Sequence, residues 1–274
     1  MLDVTTDMTV TAPRLQRVHG QARVRIGADG SLVDLHQSGS AKAILPKMHG
    51  RAPEVVFLNT SGGVTGGDHL HYGLDVGAGA RAVGTTQTAE RAYRSTGAQG
   101  RIETRLTLGA ESTLHWLPQE LILFEGAHVR RDLRVEMPGD AALVMLETLV
   151  LGRAAMGETL ERIALHDRRD VIRDGKSAMI EAIRLGAEDL AAASPAGLYG
   201  AIAVATLSLF SPTAADRLDA LRNALPTDIR AAASAWDGRV TARFLAPEAF
   251  PLRKAVARVL PILTDAPLPR VWQI

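Results

Sequence analysis

Hydrophobicity that alternates with a period of two, up to about residue 185, constrains the fold more than any other feature of this sequence. Within residues 70–76, 102–108 and 129–137, apolar or threonine side chains occupy nearly every second position. This alternation is typical of β-strands that have one face in the core and one in water. Glycine, proline or Asp-Gly breaks recur every eight to twelve residues, which indicates many short strands.

Two uninterrupted apolar runs, residues 55–58 and 141–146, indicate strands that are buried on both faces. Many short strands at this spacing indicate a sandwich, a barrel or a body of stacked sheets. The sequence therefore predicts a mainly β fold of many short strands in stacked sheets, with a sandwich- or solenoid-like body. No exact internal repeat accompanies the pattern, so a regular solenoid is not supported.

The last third of the chain changes character and predicts a few helices. Residues 218, 221 and 225 are leucines that share one helical face, and Thr213 is a candidate N-cap for that helix. A second apolar stripe, at positions 252, 256, 259, 260 and 263, follows Pro251, which is a residue favoured near helix starts. Between the two stripes, residues 239–245 alternate like one more strand.

Because no polar, low-complexity linker interrupts the chain, we expect one domain over residues 1–274. Its β-rich body would cover residues 15–210 approximately, and the helices and strand of residues 211–274 would pack on that body. The segment 190–215 has no charged residue, but Pro195 and Pro212 bracket too short a stretch to cross a bilayer, so we interpret it as a buried strand or core segment.

Composition excludes several classes of function. The chain has no cysteine, which removes disulfides, thiolate metal ligands and a cysteine nucleophile. A net charge of +1 gives no electrostatic argument for binding nucleic acid or an anionic membrane. Asp3 and Asp7 interrupt the N-terminus, which does not resemble a secretory signal. We expect a soluble protein of the cytosol.

The densest glycine cluster, residues 62–68, does not match a nucleotide-binding motif. It lacks the Lys-Ser/Thr ending of a P-loop and the spacing of a dinucleotide fingerprint, and an alternating strand pattern follows it instead of a helix. A tight crossing between two strands is the simpler interpretation. Neither a G-x-S-x-G elbow nor an H-E-x-x-H pair occurs, so conventional hydrolase chemistry has no support.

Residue chemistry alone leaves metal binding open. His69 and His71 lie two residues apart, on one face of a predicted strand, and could hold Ni, Zn or Cu as an imidazole pair. Glu147 lies in a strongly apolar run, where a carboxylate is costly unless it is paired or coordinated. The alternatives are solvated surface histidines and an internal ion pair for Glu147. Its possible local partners are residues of the following segment, namely Arg153, Glu158 and Arg162.

Five segments, in order along the chain, resemble the urease accessory protein family UreD, also called UreH. They are residues 58–68 (LNTSGGVTGGD), 86–95 (TQTAERAYRS), 116–127 (WLPQELILFEGA), 151–158 (LGRAAMGE) and 268–272 (LPRVW). The motif positions that carry the resemblance are Gly62, Gly63, Gly66, Gly67, Tyr93, Arg94, Pro118, Gln119, Gly126, Gly152, Arg153, Gly157 and Glu158.

The resemblance implies a cytosolic, non-enzymatic scaffold that is needed to insert nickel into apo-urease. Its implied partners are UreF, the GTPase UreG and the urease apoprotein, with UreE as an indirect nickel donor. Nickel would pass through an internal tunnel without a tightly bound cofactor. The family fold is β-rich with few helices, which agrees with the period-two pattern.

A transit path for nickel should offer several weak carboxylate sites and no deep one. Asp68, Glu147 and Glu181 are the candidates, since each lies in or beside an apolar strand at a position where the family motif also has an acid. The apolar neighbours of Glu181, within residues 178–183, indicate a mostly buried strand. Pairing with arginine is the alternative for each. The competing function is a metal-dependent hydrolase that uses His69, His71 and a nearby carboxylate around an open coordination site.

Overall fold

A computed structural model of the protein describes residues 16–48, 51–153, 156–192, 194, 196–264 and 266–273. The expectations about Asp3, Asp7 and Pro195 lie outside these residues. The strands are β1 (His19–Ile26), β2 (Leu32–Gly39), β3 (Ala41–Ile44), β4 (Glu54–Asn59), β5 (His69–Val76), β6 (Arg81–Thr86), β7 (Glu90–Ala92), β8 (Gly100–Leu108), β9 (Thr113–Trp116), β10 (Leu121–Leu123), β11 (His128–Met137), β12 (Ala142–Leu151), β13 (Ala164–Arg173), β14 (Lys176–Leu185), β15 (Ala203–Phe210), β16 (Arg230–Trp236) and β17 (Arg239–Ala246). The α-helices are α1 (Ala187–Ala191), α2 (Leu218–Ala224) and α3 (Ala249–Thr264).

Most strands belong to two stacked sheets, between which the chain alternates. A seven-stranded sheet has the order β14-β13-β11-β8-β5-β1-β2, and a ten-stranded sheet has the order β16-β17-β15-β12-β9-β6-β4-β3, with β7 and β10 beside it. Neighbours from β1 to β13 in the first sheet, and from β4 to β12 in the second, run parallel. The predicted mainly β fold with a solenoid-like body is confirmed.

Antiparallel strands lie outside both parallel stacks. In the seven-stranded sheet, β2 reverses direction beside β1, and β14 reverses direction beside β13. In the ten-stranded sheet, β3 is antiparallel to β4 and β15 is antiparallel to β12. Each parallel stack is therefore bounded on both sides by a strand that runs the other way.

The first core fills the space between the two sheets. Tyr72 of β5 packs on Phe57 of β4 with ring centroids 5.2 Å apart, and Phe57 packs on Trp116 of β9 at 6.0 Å. Apolar residues of the alternating strands, such as Leu74 and Leu106, are also buried there. Burying side chains of this size contributes roughly 1.5–3 kcal/mol each, so this layer holds the two sheets together.

A second core covers the opposite face of the ten-stranded sheet, which is why its strands carry continuous apolar runs. Helix α3 packs on β15, β17 and β12. The predicted stripe is confirmed, because its members are all buried in α3: Leu252, Val256, Val259, Leu260 and Leu263. The uncharged segment supplies the buried strand β15, as predicted, and residues 239–245 lie in β17. Among the helices of the described residues, none has the length and apolar character that a membrane crossing requires.

The shorter predicted helix is partly wrong. Thr213 precedes a 3₁₀ turn, Ala214–Arg217, and its side chain makes no capping hydrogen bond. Helix α2 ends at Ala224, so Leu225 lies just beyond it, and Leu221 is the buried leucine. A turn of 3₁₀ helix changes the angular spacing of side chains, which is why the simple 3.6-residue period misplaces the first turn.

Candidate functional site

Glu147 of β12 faces the space between the sheets and forms a buried ion pair with Arg131 of β11. Arg131 Nη1 lies 2.8 Å from Glu147 Oε2, and Trp116 Nε1 donates a hydrogen bond of 3.0 Å to Glu147 Oε1. Both carboxylate oxygens are therefore engaged. An isolated charge at this depth would be strongly destabilising, so the pair explains how an acid is tolerated in this apolar strand.

The local partners expected for Glu147 are wrong. Arg153 pairs with Glu158 at 2.9 Å, and Arg162 pairs with Glu125 at 3.0 Å, both toward the surface. The actual partner, Arg131, comes from the opposite sheet. The sequence did contain a sign of this partner. In the alternating residues 129–137, Arg131 occupies one of the positions that face inward, where the pattern otherwise has apolar side chains.

The ion pair is one end of a longer set of alternating charges, which we call the interior charge row. Its members, in spatial order, are Glu147, Arg131, Asp167, Arg169, Glu181 and Arg243. Successive oxygen–nitrogen distances along the row are 2.8, 2.5, 2.6, 2.8 and 2.9 Å. Three acids alternate with three arginines, so the row has no net charge, and it connects β11, β13 and β14 of one sheet to β12 and β17 of the other.

Asp167 is the most tightly held acid of this row. Burial opposes its ionisation, but the guanidinium groups of Arg131 and Arg169 outweigh that cost and lower the pKa of Asp167 to about 2. The inward parity of Asp167 and Arg169 within β13 was visible in the sequence and was missed. Both residues occupy positions where alternation predicts apolar side chains.

Glu181 lies on β14, and here one expectation is wrong. Its side chain is 13% exposed and is held between Arg169 and Arg243. The strand, however, is an edge strand with largely exposed residues and is not mostly buried, since neighbouring Ile180 is 60% exposed. The local apolar composition reflected one inward face, and sequence cannot reveal that β14 is the last strand of its sheet.

A cavity of about 70 Å³ lies beside Glu147 between the sheets. Buried residues, including Tyr72, Trp116 and Arg131, form its inner wall, and more exposed ones, including Gly62 and Thr88, lie at its opening. Three of the five motif segments contribute to the lining. Polar and apolar groups both line this cavity, and its volume can hold several water molecules.

Glu90 lines the same cavity and differs from Glu147 in its partners. Asn59 Nδ2 and the main-chain N–H of Arg91 each donate a long hydrogen bond of 3.3 Å to Glu90 Oε1. No lysine or arginine within the described ranges forms an ion pair with it. Burial, the dominant effect, raises the pKa of Glu90 to about 7. Sequence reasoning missed Glu90, although it lies inside the motif of residues 86–95.

The glycine cluster forms the crossing from β4 to β5, as the sequence predicted. A Cβ on Gly66 would lie 2.1 Å from Ser95 Oγ and 2.3 Å from the Ala98 carbonyl oxygen, and Gly67 has φ +88°. Asp68 closes the turn, because its carboxylate accepts hydrogen bonds from the main-chain N–H of Thr65 (2.9 Å) and Val18 (2.8 Å). The close contacts at Gly66 and the positive φ at Gly67 are both accommodated without strain by glycine.

The third and fifth motif segments join on the other side of the cavity. Pro118 and Gln119 line it, and the main-chain N–H of Gln119 donates 2.9 Å to Thr86 Oγ1 of the second segment. Trp272 of the tail donates through Nε1 to the Leu117 carbonyl oxygen at 3.0 Å. Arg253 of α3 stacks on the Trp272 ring at 4.7 Å.

The fourth segment packs beside these motifs. Arg153, paired with Glu158, lies over the Phe124 ring at 4.5 Å, and Tyr93 meets the same ring edge-on at 5.0 Å. Arg94 lies against Gly126. Gly152 and Gly157 are the positive-φ positions of this segment. The fourth segment thus packs against Phe124 of the third segment, next to Tyr93 of the second, and its described residues do not line the cavity itself.

His69 and His71 lie elsewhere, on the outer face of the seven-stranded sheet. Both face Glu103 of β8, with His69 Nε2 at 3.2 Å and His71 Nδ1 at 3.8 Å from its oxygens. Burial and then the charge of Arg23 lower the pKa of His71. The part of the chain that the structure describes contains no group of three or more histidine or acidic residues that could hold a metal ion.

Comparison with known proteins agrees with the motifs. A model of the UreD urease accessory protein family matches residues 18–273. A urease accessory protein UreD of Jannaschia sp. (strain CCS1) is 63% identical over 274 residues, which is 100% of both chains. Proteins of the same description from Dinoroseobacter shibae and Cereibacter sphaeroides (strain ATCC 17025) are 53% and 48% identical, over 96% of this chain and 95% and 98% of theirs. The chain therefore belongs to the UreD family of urease accessory proteins.

Proposed function

We propose that this protein is a cytoplasmic, non-enzymatic scaffold that is required for nickel insertion into apo-urease. In this proposal it acts in a complex with UreF and the GTPase UreG, contacts the urease apoprotein subunits, and receives nickel that UreE supplies indirectly. Nickel(II) is cargo in transit, and no cofactor is tightly bound. Nucleic acid and membranes are not among the proposed partners. Membership of the UreD family supports the proposal.

The observation that carries the proposal is the cavity between the sheets, because motif residues of the family surround it and carboxylates line it. Nickel(II) accepts carboxylate, carbonyl and water oxygens as ligands. A cation that reaches Glu147 or Glu181 must compete with the arginines already bound to them. Such competition would make these acids weak, transient sites, which is the property a conduit needs.

Asp68 has a different place in the proposal. Its carboxylate accepts hydrogen bonds from the main-chain N–H of Thr65 in the glycine turn and of Val18 just before β1. If Asp68 also contributes to a nickel path, the same carboxylate serves both the path and the closure of this turn. We therefore expect its substitution to affect folding together with nickel transfer.

The alternative, a metal-dependent hydrolase, has less support. A hydrolytic site needs about three protein ligands and one open coordination position. Glu103 is the acid nearest to both His69 and His71, and these three side chains, as the described residues place them, do not form a metal-binding group. The related proteins are described as accessory proteins.

The test is reconstitution of urease activation. Apo-urease would be mixed with UreF, UreG, GTP and nickel, with and without this protein, and scored for co-purification, nickel content and urease activity. The proposal expects a stable complex and nickel-loaded urease only when this protein is present. Equal activation without it, with all partners folded, would refute the proposal. Turnover of a hydrolysable substrate by the isolated protein would favour the alternative.

A further inference from the structure

The cavity contains two carboxylates with opposite surroundings. Glu147 has both oxygens bound, one by Arg131 and one by Trp116. Glu90 accepts only two long hydrogen bonds, both on Oε1, among the described contacts. A divalent cation that enters the cavity would meet one carboxylate already neutralised and one that forms no ion pair among the described residues, with only the charge of neighbouring Arg91 acting on it.

The oxygen atoms around Glu90 already accept hydrogen bonds. The Asn59 amide oxygen accepts from Ser61, and the Gln119 amide oxygen accepts from Arg253. A cation would therefore bind these groups only through water or in exchange for those contacts, which suits a transient position. The charged and titratable groups that face the cavity with Glu90 are Arg91, Arg131, Glu147 and Tyr72. Of these, Arg131 is committed to Glu147 and Asp167.

We propose that Glu90 is the carboxylate that binds the divalent cation inside this cavity, while the ion pair between Glu147 and Arg131 closes its inner end. The inference rests on the proposed function, because it assumes that nickel is the cargo. It places the first binding position in the motif of residues 86–95 and not on the acids of the interior charge row. The raised pKa of Glu90 is what a half-buried carboxyl that forms no ion pair should have.

Glu90→Gln is the informative variant, because it keeps the shape and the hydrogen bond with Asn59 and removes the charge. Loss of a charge that forms no ion pair should not unfold the protein. Glu90→Asp, which keeps the charge but withdraws it by one methylene, should give an intermediate result. Glu136→Gln is the matched control, since Glu136 is 56% exposed on the outer face of the seven-stranded sheet and pairs with Arg134.

Nickel in the cavity can be detected through Trp116, which lines it. The full chain, labelled with 5-fluorotryptophan and bound to unlabelled UreF, would be titrated with NiCl₂ and followed by fluorine NMR. Paramagnetic nickel should broaden the Trp116 resonance and spare that of Trp236, which lies on β16 and is 41% exposed. Glu90→Gln should need at least about tenfold more nickel for the same broadening, because the anionic ligand is gone.

The possible outcomes distinguish a failure of the proposed role of Glu90 from a failure of the proposed scaffold function. Wild-type broadening at Trp116 that Glu90→Gln leaves unchanged would overturn the role of Glu90 and leave the scaffold function standing. Urease activation without any broadening at Trp116 would likewise overturn it. Failure of the wild-type protein to activate urease at all would refute the proposed function instead. In activation assays at limiting nickel, we expect Glu90→Gln to lower urease nickel content and Glu136→Gln to leave it unchanged.

Discussion

Arg131 and Glu147 join the two sheets through an ion pair of 2.8 Å, and each has a further partner on its own sheet. Asp167 holds Arg131 from β13, and Trp116 holds Glu147 from β9. Removing one member of the pair therefore leaves the other with one remaining contact. The two deletions are not equivalent, because the charge that stays behind is different in each.

Replacing Arg131 should cost more stability than replacing Glu147. In Glu147→Gln, Arg131 keeps its bidentate contact with Asp167, so we expect a loss of about 1–3 kcal/mol. In Arg131→Met, Glu147 becomes a buried charge without a counter-ion, and a loss of about 3–5 kcal/mol is expected. Urea denaturation of both variants gives the comparison. Equal losses would show that Asp167 does not hold Arg131 as described.

The glycine turn should not tolerate a β-branched side chain. Gly66→Val places a Cβ against Ser95 and the Ala98 carbonyl group, and we expect a loss of at least about 1–3 kcal/mol together with less soluble protein. Gly186→Ala is the control, because the nearest atom to its new Cβ is 3.8 Å away. Thermal unfolding of both variants tests this. A Gly66→Val protein with wild-type Tm and UreF binding would show that the turn can relax.

Glu90 should make stability fall as the pH rises from about 4.5 to about 7. Its folded-state pKa of about 7 lies above the ordinary value of 4.5. The stabilisation is therefore complete below pH 4.5 and is lost as pH rises through 7. The difference corresponds to roughly 3 kcal/mol, and Glu90→Gln should remove it. Urea denaturation at pH 5 and pH 8 measures this. Relative to wild type, the free energy of unfolding of Glu90→Gln should be higher at pH 8 than at pH 5. A constant difference would contradict the burial of this carboxyl.

Glu125 should have the opposite pH dependence. Main-chain N–H groups of Arg162 and Glu161 donate to its carboxylate and, with the Arg162 guanidinium, lower its pKa to about 2. Its stabilisation is present above the ordinary pKa of 4.5 and is lost as pH falls through 2. Glu125→Gln should thus be less stable than wild type at pH 6, and the gap should close on acidification. The Tm of wild type and of Glu125→Gln, measured from pH 6 downward with Glu136→Gln as the reference variant, tests this expectation.

Sequence predicted those features that depend on local periodicity. Strand β8, the doubly buried strand β12 and the apolar stripe of α3 each follow from side-chain spacing within one element. The partner of Glu147 could not be found this way, since Arg131 reaches it from another sheet. The alternation of inward and outward positions along β11 and β13 indicated that charged side chains face inward. Which of these charges form ion pairs can be decided only when the order of the strands in the sheets is known. The regular alternation of the chain between the two sheets could not be recognised from the sequence. The short strands β7 and β10 lie beside the main path of the ten-stranded sheet and lengthen some connections, so no fixed repeat length results.

The antiparallel strands beside β1, β4, β12 and β13 have a consequence for how the molecule behaves at high concentration. A stack of parallel coils can in principle grow, since a second molecule could add its first coil to the last coil of its neighbour. Here each parallel stack is bounded by strands that run the other way, so a second molecule could not continue the stack by adding a parallel coil directly to it. An added molecule would have to pair with a reversed strand, and the regular parallel arrangement would end at that junction.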